Sequence, residues 1–420
     1  MIIKFRKFAI TNIIFFSPAT TPNYKMNFKK LLLVPVFIIS ILFLIVLAIA
    51  MFPYIFTNVY KFPAMKPFSG VEWYNPYADT SGKWFKANFH AHAQAWGGLT
   101  NGTLTPEQVD SVYKSLGYDF AGISDYHKIT KSKNVKDDEF IPLYEHGLNV
   151  WKRHQHPIGA KEIVNFDYPL FQSLHHKQDI IERIRPTTKL LAINHPEFLE
   201  GYHPDDFQYL SNYTHIEILN HYRTSVHHWD AALSAGYPAF GYGNDDSHNQ
   251  TRKDETGRYW TMVRAGSLLG NLIVDALRKG NSVAVKGNNA ELDNELRYLR
   301  VENDSMKLKL TMPADSILLI GNYGEVLGSF AKTDSLVYPL KKVKTYLRTE
   351  VYNPKTTFFL NPLIRTDGIL PTYKPVKNAA FSFVVRIVGI AVYAFYLVFI
   401  FRVIRKIYRY LMNKAVVRII

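Results

Sequence analysis

The sequence predicts an α/β domain of parallel strands, followed by a small antiparallel β module and flanked by two apolar helices. Three observations predict it. Apolar strand-like runs alternate with helical stretches over residues 84–286, short alternating runs broken by Asn, Gly and Pro fill 291–375, and each end carries a long uncharged run.

The first end run is Leu31–Phe52, 22 residues without a charge. At ~1.5 Å per residue it spans about 33 Å, enough for a bilayer core. Pro35 falls in its first turn, where a missing N–H costs little. Ala48-Ile49-Ala50 resembles a signal cleavage site, but the run is longer than a signal core, which favours a retained anchor. Met26 lies just before it as a second possible start, so residues 1–25 read as an extension or a short tail. The second run, 379–401, includes Arg386, close enough to one end to snorkel.

Charge follows the same division. Residues 1–52 hold six basic residues and no acid, and 379–420 hold seven and no acid. Thirteen of the fifteen excess charges therefore lie in the ends. The middle, with 37 basic and 35 acidic residues, carries no nucleic-acid footprint. Lys29 and Lys30 precede the first run; Arg402, Arg405 and Lys406 follow the second. The positive-inside rule then expects a two-pass protein of the cell (inner) membrane with both termini cytoplasmic and the middle on the other side. The expected order is a basic N-terminus (1–30), a span (31–52), a linker (53–83), the α/β domain (84–290), the β module (291–375), a span (379–401) and a basic tail (402–420).

Expected strands are Trp84–His90, Phe120–Ser124, Leu190–Asn194, His215–Leu219, Pro238–Tyr242 and Ser282–Val285. Thr105-Pro106-Glu107-Gln108 opens a helix with an N-cap, Pro at N1 and Gln at N3. Further helices are expected over Lys177–Arg185, Ser225–Ala235 and Ser267–Lys279, the last stopping at Gly280. This alternation implies a barrel or a doubly wound sheet. There is no cysteine, which excludes disulfides, thiolate metal sites and a Cys nucleophile.

All 15 histidines lie between 90 and 248. His90 and His92 follow a strand at a spacing of two, so both imidazoles leave on one face. His195 and Asp246-Ser247-His248 follow two other strands. C-terminal ends of parallel strands share one mouth, and imidazoles with carboxylates gathered there suit Zn, Mn or Fe. His146, His175, His176, His203, His215, His221, His227 and His228 read as core or surface residues.

The ordered series Asn88-Phe-His-Ala-His92, Gly122-Ile-Ser-Asp-Tyr-His127, Glu145 with His154, Asn194-His-Pro196 and Asn244-Asp-Asp-Ser-His248 resembles the PHP family, the polymerase and histidinol phosphatase domain. The resemblance covers about half of the chain. It implies a distorted (β/α)7 barrel with two or three divalent ions and phosphoester hydrolysis by a metal-activated water. By that resemblance His90 and His92 are first-strand ligands, Glu145 the bridging carboxylate, His195 a further ligand, and Asp246 and His248 the closing pair with catalytic roles. Tyr126 separates Asp125 from His127, which the family has adjacent, so Asp125 is kept as a catalytic candidate and His127 as a ligand. His154 is preferred to His156, and Glu145 to Glu162. A third histidine after the first pair is absent, since that stretch reads Gln94-Ala-Trp96. Lys128, Arg223 and Arg252 are candidates to face a phosphoryl group, and Asp125 or Asp245 to orient an imidazole. The expected substrate is a phosphorylated small molecule or envelope polymer. An amidohydrolase-type enzyme and a non-catalytic, metal-stabilised envelope module are the competing readings.

Overall fold

The computed structural model describes residues 28–288 and 291–412. The expected N-terminus up to residue 27 and the last eight residues of the basic tail lie outside the described residues. In chain order, α1 (Phe28–Met51) leads to β1 (Tyr60–Lys61), β2 (Glu72–Tyr74), β3 (Lys83–Asn88), α2 (Pro106–Ser115), β4 (Phe120–Ala121), β5 (Gln155–Ala160) and α3 (Leu174–Ile184). There follow β6 (Thr188–Ile193), β7 (His215–Leu219), α4 (Val226–Ala235), β8 (Phe240–Gly243), β9 (Tyr259–Ala265), α5 (Gly270–Arg278) and β10 (Ser282–Lys286). The C-terminal part adds β11 (Leu296–Glu302), β12 (Ser305–Ile320), β13 (Val326–Pro339), β14 (Tyr346–Tyr352), β15 (Thr357–Thr366), β16 (Val376–Lys377) and α6 (Ala379–Met412). Residues 50–394 form one compact unit; among the described residues, 28–49 and 395–412 form another.

Local signals explain the helix starts. Thr105 caps α2 in a capping box with Gln108, and Ser173 caps α3 in the same way with His176. α4 ends at Gly236, whose φ of +94° and contact with the Lys66 carbonyl admit no side chain.

The architecture is α/β with a curled half-barrel sheet, rather than a closed ring of parallel strands. β6, β7 and β8 are parallel, as are β3 and β4. β5 runs antiparallel to β6, and β9 antiparallel to β3. β5 and β6 are antiparallel although α3 lies between them, and β9 and β10 are antiparallel although α5 does. Two isolated parallel bridges, Ala91 to Ser247 and Tyr126 to Glu145, bring the strand ends of both sheets together.

β10 pairs with β15, so the C-terminal strands continue the sheet of the α/β part instead of forming one of their own. One core spans the seam, with Trp260 and Val283 packed among Leu308, Val351 and Phe358. Buried Arg348 on β14 forks onto Asp230 of α4 at 2.6 and 2.8 Å and also meets Glu350.

α1 and α6 are each long and apolar enough to cross a membrane, and their apolar side chains are largely bare. Two details differ from expectation. α1 starts at Phe28, so Pro35 sits in its interior. Arg386 does not snorkel; its guanidinium is held by Asn58 and by the Phe56 and Thr57 carbonyls. Just beyond, β1 pairs with β16, so the chain enters and leaves the folded unit side by side.

Candidate metal centre

β3 delivers His90 and His92 to the site end, where both are buried and their Nε2 atoms lie 3.3 Å apart. Asp246 enters after β8; its Oδ1 is 3.1 Å from His90 Nε2 and 3.2 Å from His92 Nε2. Glu145 completes the group, with Oε1 3.2 Å from His90 and Oε2 3.2 Å from His92. Glu145 Oε1 also meets His154 Nδ1 at 2.8 Å and His195 Nε2 at 3.1 Å. The side chains form two groups able to hold a cation, His90/His92/Glu145/Asp246 and Glu145/His154/His195, with Glu145 in both. His195 and Asp246 occupy left-handed backbone, at φ +27° and +52°, a strained geometry that concentrates at functional sites.

His248 stacks on His92 at 4.3 Å between ring centroids. Its Nδ1 lies 3.1 Å from the Asp246 carbonyl, and its buried Nε2 has no partner. Asp246 Oδ1 and Glu145 Oε2 face imidazole Nε2 atoms. His92 Nδ1 and His195 Nδ1 are also buried without hydrogen-bond partners. Buried polar atoms are rarely left so. The donor set, all nitrogen and oxygen, fits a divalent cation.

The surroundings brace the centre. His90 Nδ1 lies 3.0 Å from Glu217 Oε1. Glu217 also accepts from the His195 backbone N–H, Asn220 and Asn244. Asn194 donates to Glu145, and Tyr242 donates to Asn194. Burial alone would raise the Glu145 carboxyl, but the His154 and His90 imidazoles hold it well below its usual range. Burial is likewise outweighed at His92, whose hydrogen bonds to the accepting Asp246 and Glu145 carboxylates push it up to about 9. Burial pushes His248 down to about 3.

Other expected residues stand apart. His127 has Nδ1 3.1 Å from the Val164 carbonyl and accepts from Gly147 N–H at Nε2, so both nitrogens are committed and neither reaches the cluster. Asp125 accepts from Ala93 N–H and from the Thr130 hydroxyl, one on each oxygen. Asp245 accepts the 257–259 backbone N–H groups. Glu217, not Asp125 or Asp245, therefore orients an imidazole. Glu162 is exposed, and His156 binds the Tyr242 hydroxyl behind the cluster. Arg252 pairs with Asp254 and Glu255, and Arg223 is exposed with a bond to the Tyr222 carbonyl.

Three residues at the centre escaped sequence reasoning. Glu217 is an acid inside the apolar run His-Ile-Glu-Ile-Leu, a signal that was available in the sequence. The Tyr126 ring stacks on His92 at 4.6 Å; burial, then the charges of Glu145 and Asp246, keep its hydroxyl protonated. The Lys152 ammonium lies 5.8 Å from the centre of that ring.

Compared with known proteins, the chain matches no family model and no curated protein. Among solved structures it is similar to a two-domain protein from Bacteroides vulgatus described as containing a predicted PHP-like metal-dependent phosphoesterase. The identity is 14%, the TM-score 0.38, and the match covers 75% of this chain and 99% of the other. A likeness of that size carries no argument about this chain.

Proposed function

We propose that this chain is a membrane-anchored, metal-dependent phosphoesterase of PHP type with two cation subsites that share Glu145. One observation carries the reading. Glu217 Oε1 and the Asn194 side-chain amide flank His90 Nδ1, and His90 Nε2 converges with His92 Nε2, Glu145 and Asp246 on one buried space. Without a cation the His90 and His92 imidazoles, both raised by the facing carboxylates, carry the protons that hold these oxygens together, and a divalent cation can take the place of those protons.

Residues His90, His92, Glu145 and Asp246 would hold one cation, and Glu145, His154 and His195 a second, with the His248 ring stacked beside them on His92. Divalent cations bound there acidify water and offset phosphoryl charge. The chain's own groups do the rest. Glu217 fixes the His90 tautomer. Tyr126, protonated, can donate to a phosphoryl oxygen, and Lys152 adds positive charge above it. Zn, Mn and Fe all suit the ligands. An amidohydrolase-type site is bridged by a modified lysine, whereas the glutamate Glu145 stands at the shared position here.

The bare apolar faces of α1 and α6 support membrane anchoring. The basic flanks favour cytoplasmic termini and an extracytoplasmic catalytic unit, acting on a phosphorylated small molecule or envelope polymer. Elemental analysis of the purified full chain, with panels of phosphoesters and cyclic amides, tests the reading. Bound divalent metal with phosphoester turnover is expected; absence of metal, or turnover of cyclic amides alone, defeats it.

A further inference from the structure

The segment between Glu145 and His154, two residues of the second cation group, carries Leu148, Val150 and Trp151, which are 64%, 61% and 48% exposed. Such a run of bare apolar side chains on an ordered loop calls for a partner. The loop is firmly held. Leu148 N–H and the Asn149 side chain donate to buried Asp167, and Val150 N–H donates to the Pro169 carbonyl. The segment that holds it continues to Phe171, itself 56% exposed and stacked on Tyr54 at 4.5 Å. The Tyr54 hydroxyl accepts the Leu170 and Phe171 N–H groups.

Tyr54 lies three residues past Met51, where α1 ends, and the neighbouring Phe56 is also exposed. Tyr54 packs on His176 in the first turn of α3. α3 leads through one tight turn into β6, so that first turn lies at the same end of the fold as His195, just past the end of β6. The chain therefore joins the folded unit at the end that carries the metal centre, and the bare loop is continuous with the junction to α1.

From this continuity we infer that Leu148, Val150, Trp151 and Phe171 seat in the bilayer interface at the Tyr54 segment where the chain enters the folded unit, presenting the metal centre to phosphoesters carried by lipids. The inference rests on the reading of α1 and α6 as membrane spans and of the centre as a phosphoesterase. The aromatic and aliphatic mixture suits the interfacial zone. Lys152, next in the loop and set over Tyr126, is placed to meet the phosphate of a headgroup.

The chain lacks cysteine, so Leu148→Cys and Val150→Cys each offer a unique site for an NBD fluorophore. The full chain is placed in phosphatidylcholine nanodiscs containing doxyl-labelled phosphatidylcholine. Val326→Cys serves as the control; Val326 is exposed and close to Tyr323, which is bonded to Ser234 near the C-terminal end of α4, away from the centre. Severalfold stronger quenching at 148 and 150 than at 326 supports the surface. Equal quenching at all three overturns it and leaves the patch to a protein partner. For the substrate, Leu148→Ser/Val150→Ser/Trp151→Ser is assayed on phosphatidic acid in phosphatidylcholine vesicles and on soluble p-nitrophenyl phosphate. A roughly tenfold loss confined to the lipid substrate is expected. Equal rates on both substrates, or equal losses, overturn the lipid assignment. A wild-type chain inactive on both defeats the phosphoesterase reading, and the lipid substrate with it, while quenching still decides the surface.

Discussion

Glu217 Oε1 lies 3.0 Å from His90 Nδ1, and neither residue is exposed to solvent. This contact sets which nitrogen of His90 faces the centre, because a carboxylate retains the proton on the nitrogen beside it. Glu217→Gln should lower metal affinity by about 10–100-fold while leaving the fold intact. Competition titration against a chelator, with circular dichroism as the check on folding, measures this; unchanged affinity would remove Glu217 from the account.

The joint substitution His90→Ala and Asp246→Ala should abolish metal binding at the first group together with hydrolysis, and leave secondary structure in place. Metal content and phosphoester turnover are measured on the same preparation. Full activity in the metal-stripped double variant would refute the proposed site.

Gly147 adopts φ +142°, and a Cβ there would lie 2.3 Å from His154 Cδ2. Gly147→Ala should therefore push His154 away from Glu145. The expected result is loss of one bound metal equivalent with the other retained, read by elemental analysis. Two equivalents in the variant would show that the ring tolerates the shift.

Metal uptake should release protons. Without a cation, His92 is pushed up to about 9, so it is charged at neutral pH. Affinity should rise with pH up to about 9 and then level off, as isothermal titration in buffers of different ionisation enthalpy would show. The metal-free fold has the opposite dependence on this group. With a folded value above the unfolded ~6.5, His92 contributes stability that is full below ~6.5 and lost as pH rises through 9. Glu145 and Asp246, both held low, contribute stability present above about pH 4 and lost as pH falls. His248, His127, His215 and His228, lowered by burial, contribute stability that is lost as pH falls below ~6.5, so thermal melts of the stripped protein should peak near pH ~6.5.

Arg348→Leu should destabilise the folded unit by about 3–5 kcal/mol, because Asp230, 9% exposed at its side chain, would lose its buried counter-ion. Denaturant unfolding of the soluble unit measures the loss. A change below about 1 kcal/mol would mean that Asp230 takes up a proton in the variant at little cost.

Much of the centre was legible in the sequence because its groups follow strands, and a strand's period of two and its ending are local properties. His90, His92, His195, Asp246 and His248 could be named from such local signals, with Glu145 and His154 placed by resemblance. His127 and Asp125 could not be rejected that way, since their engagement with Val164, Gly147, Ala93 and Thr130 depends on loops that no periodicity describes. β5 carries Pro157 and Gly159, which hid it.

The sequence by itself determined the two apolar end helices, the alternation of strands and helices, and the concentration of imidazoles in one part of the chain. These follow from hydrophobic pattern and composition, which act over a few residues. Tertiary structure decided that the sheet curls without closing, that Glu217 and Lys152 join the centre, and that the bare loop is tied through Phe171 to Tyr54. Those outcomes depend on contacts between residues far apart in the chain, which only packing and burial bring together.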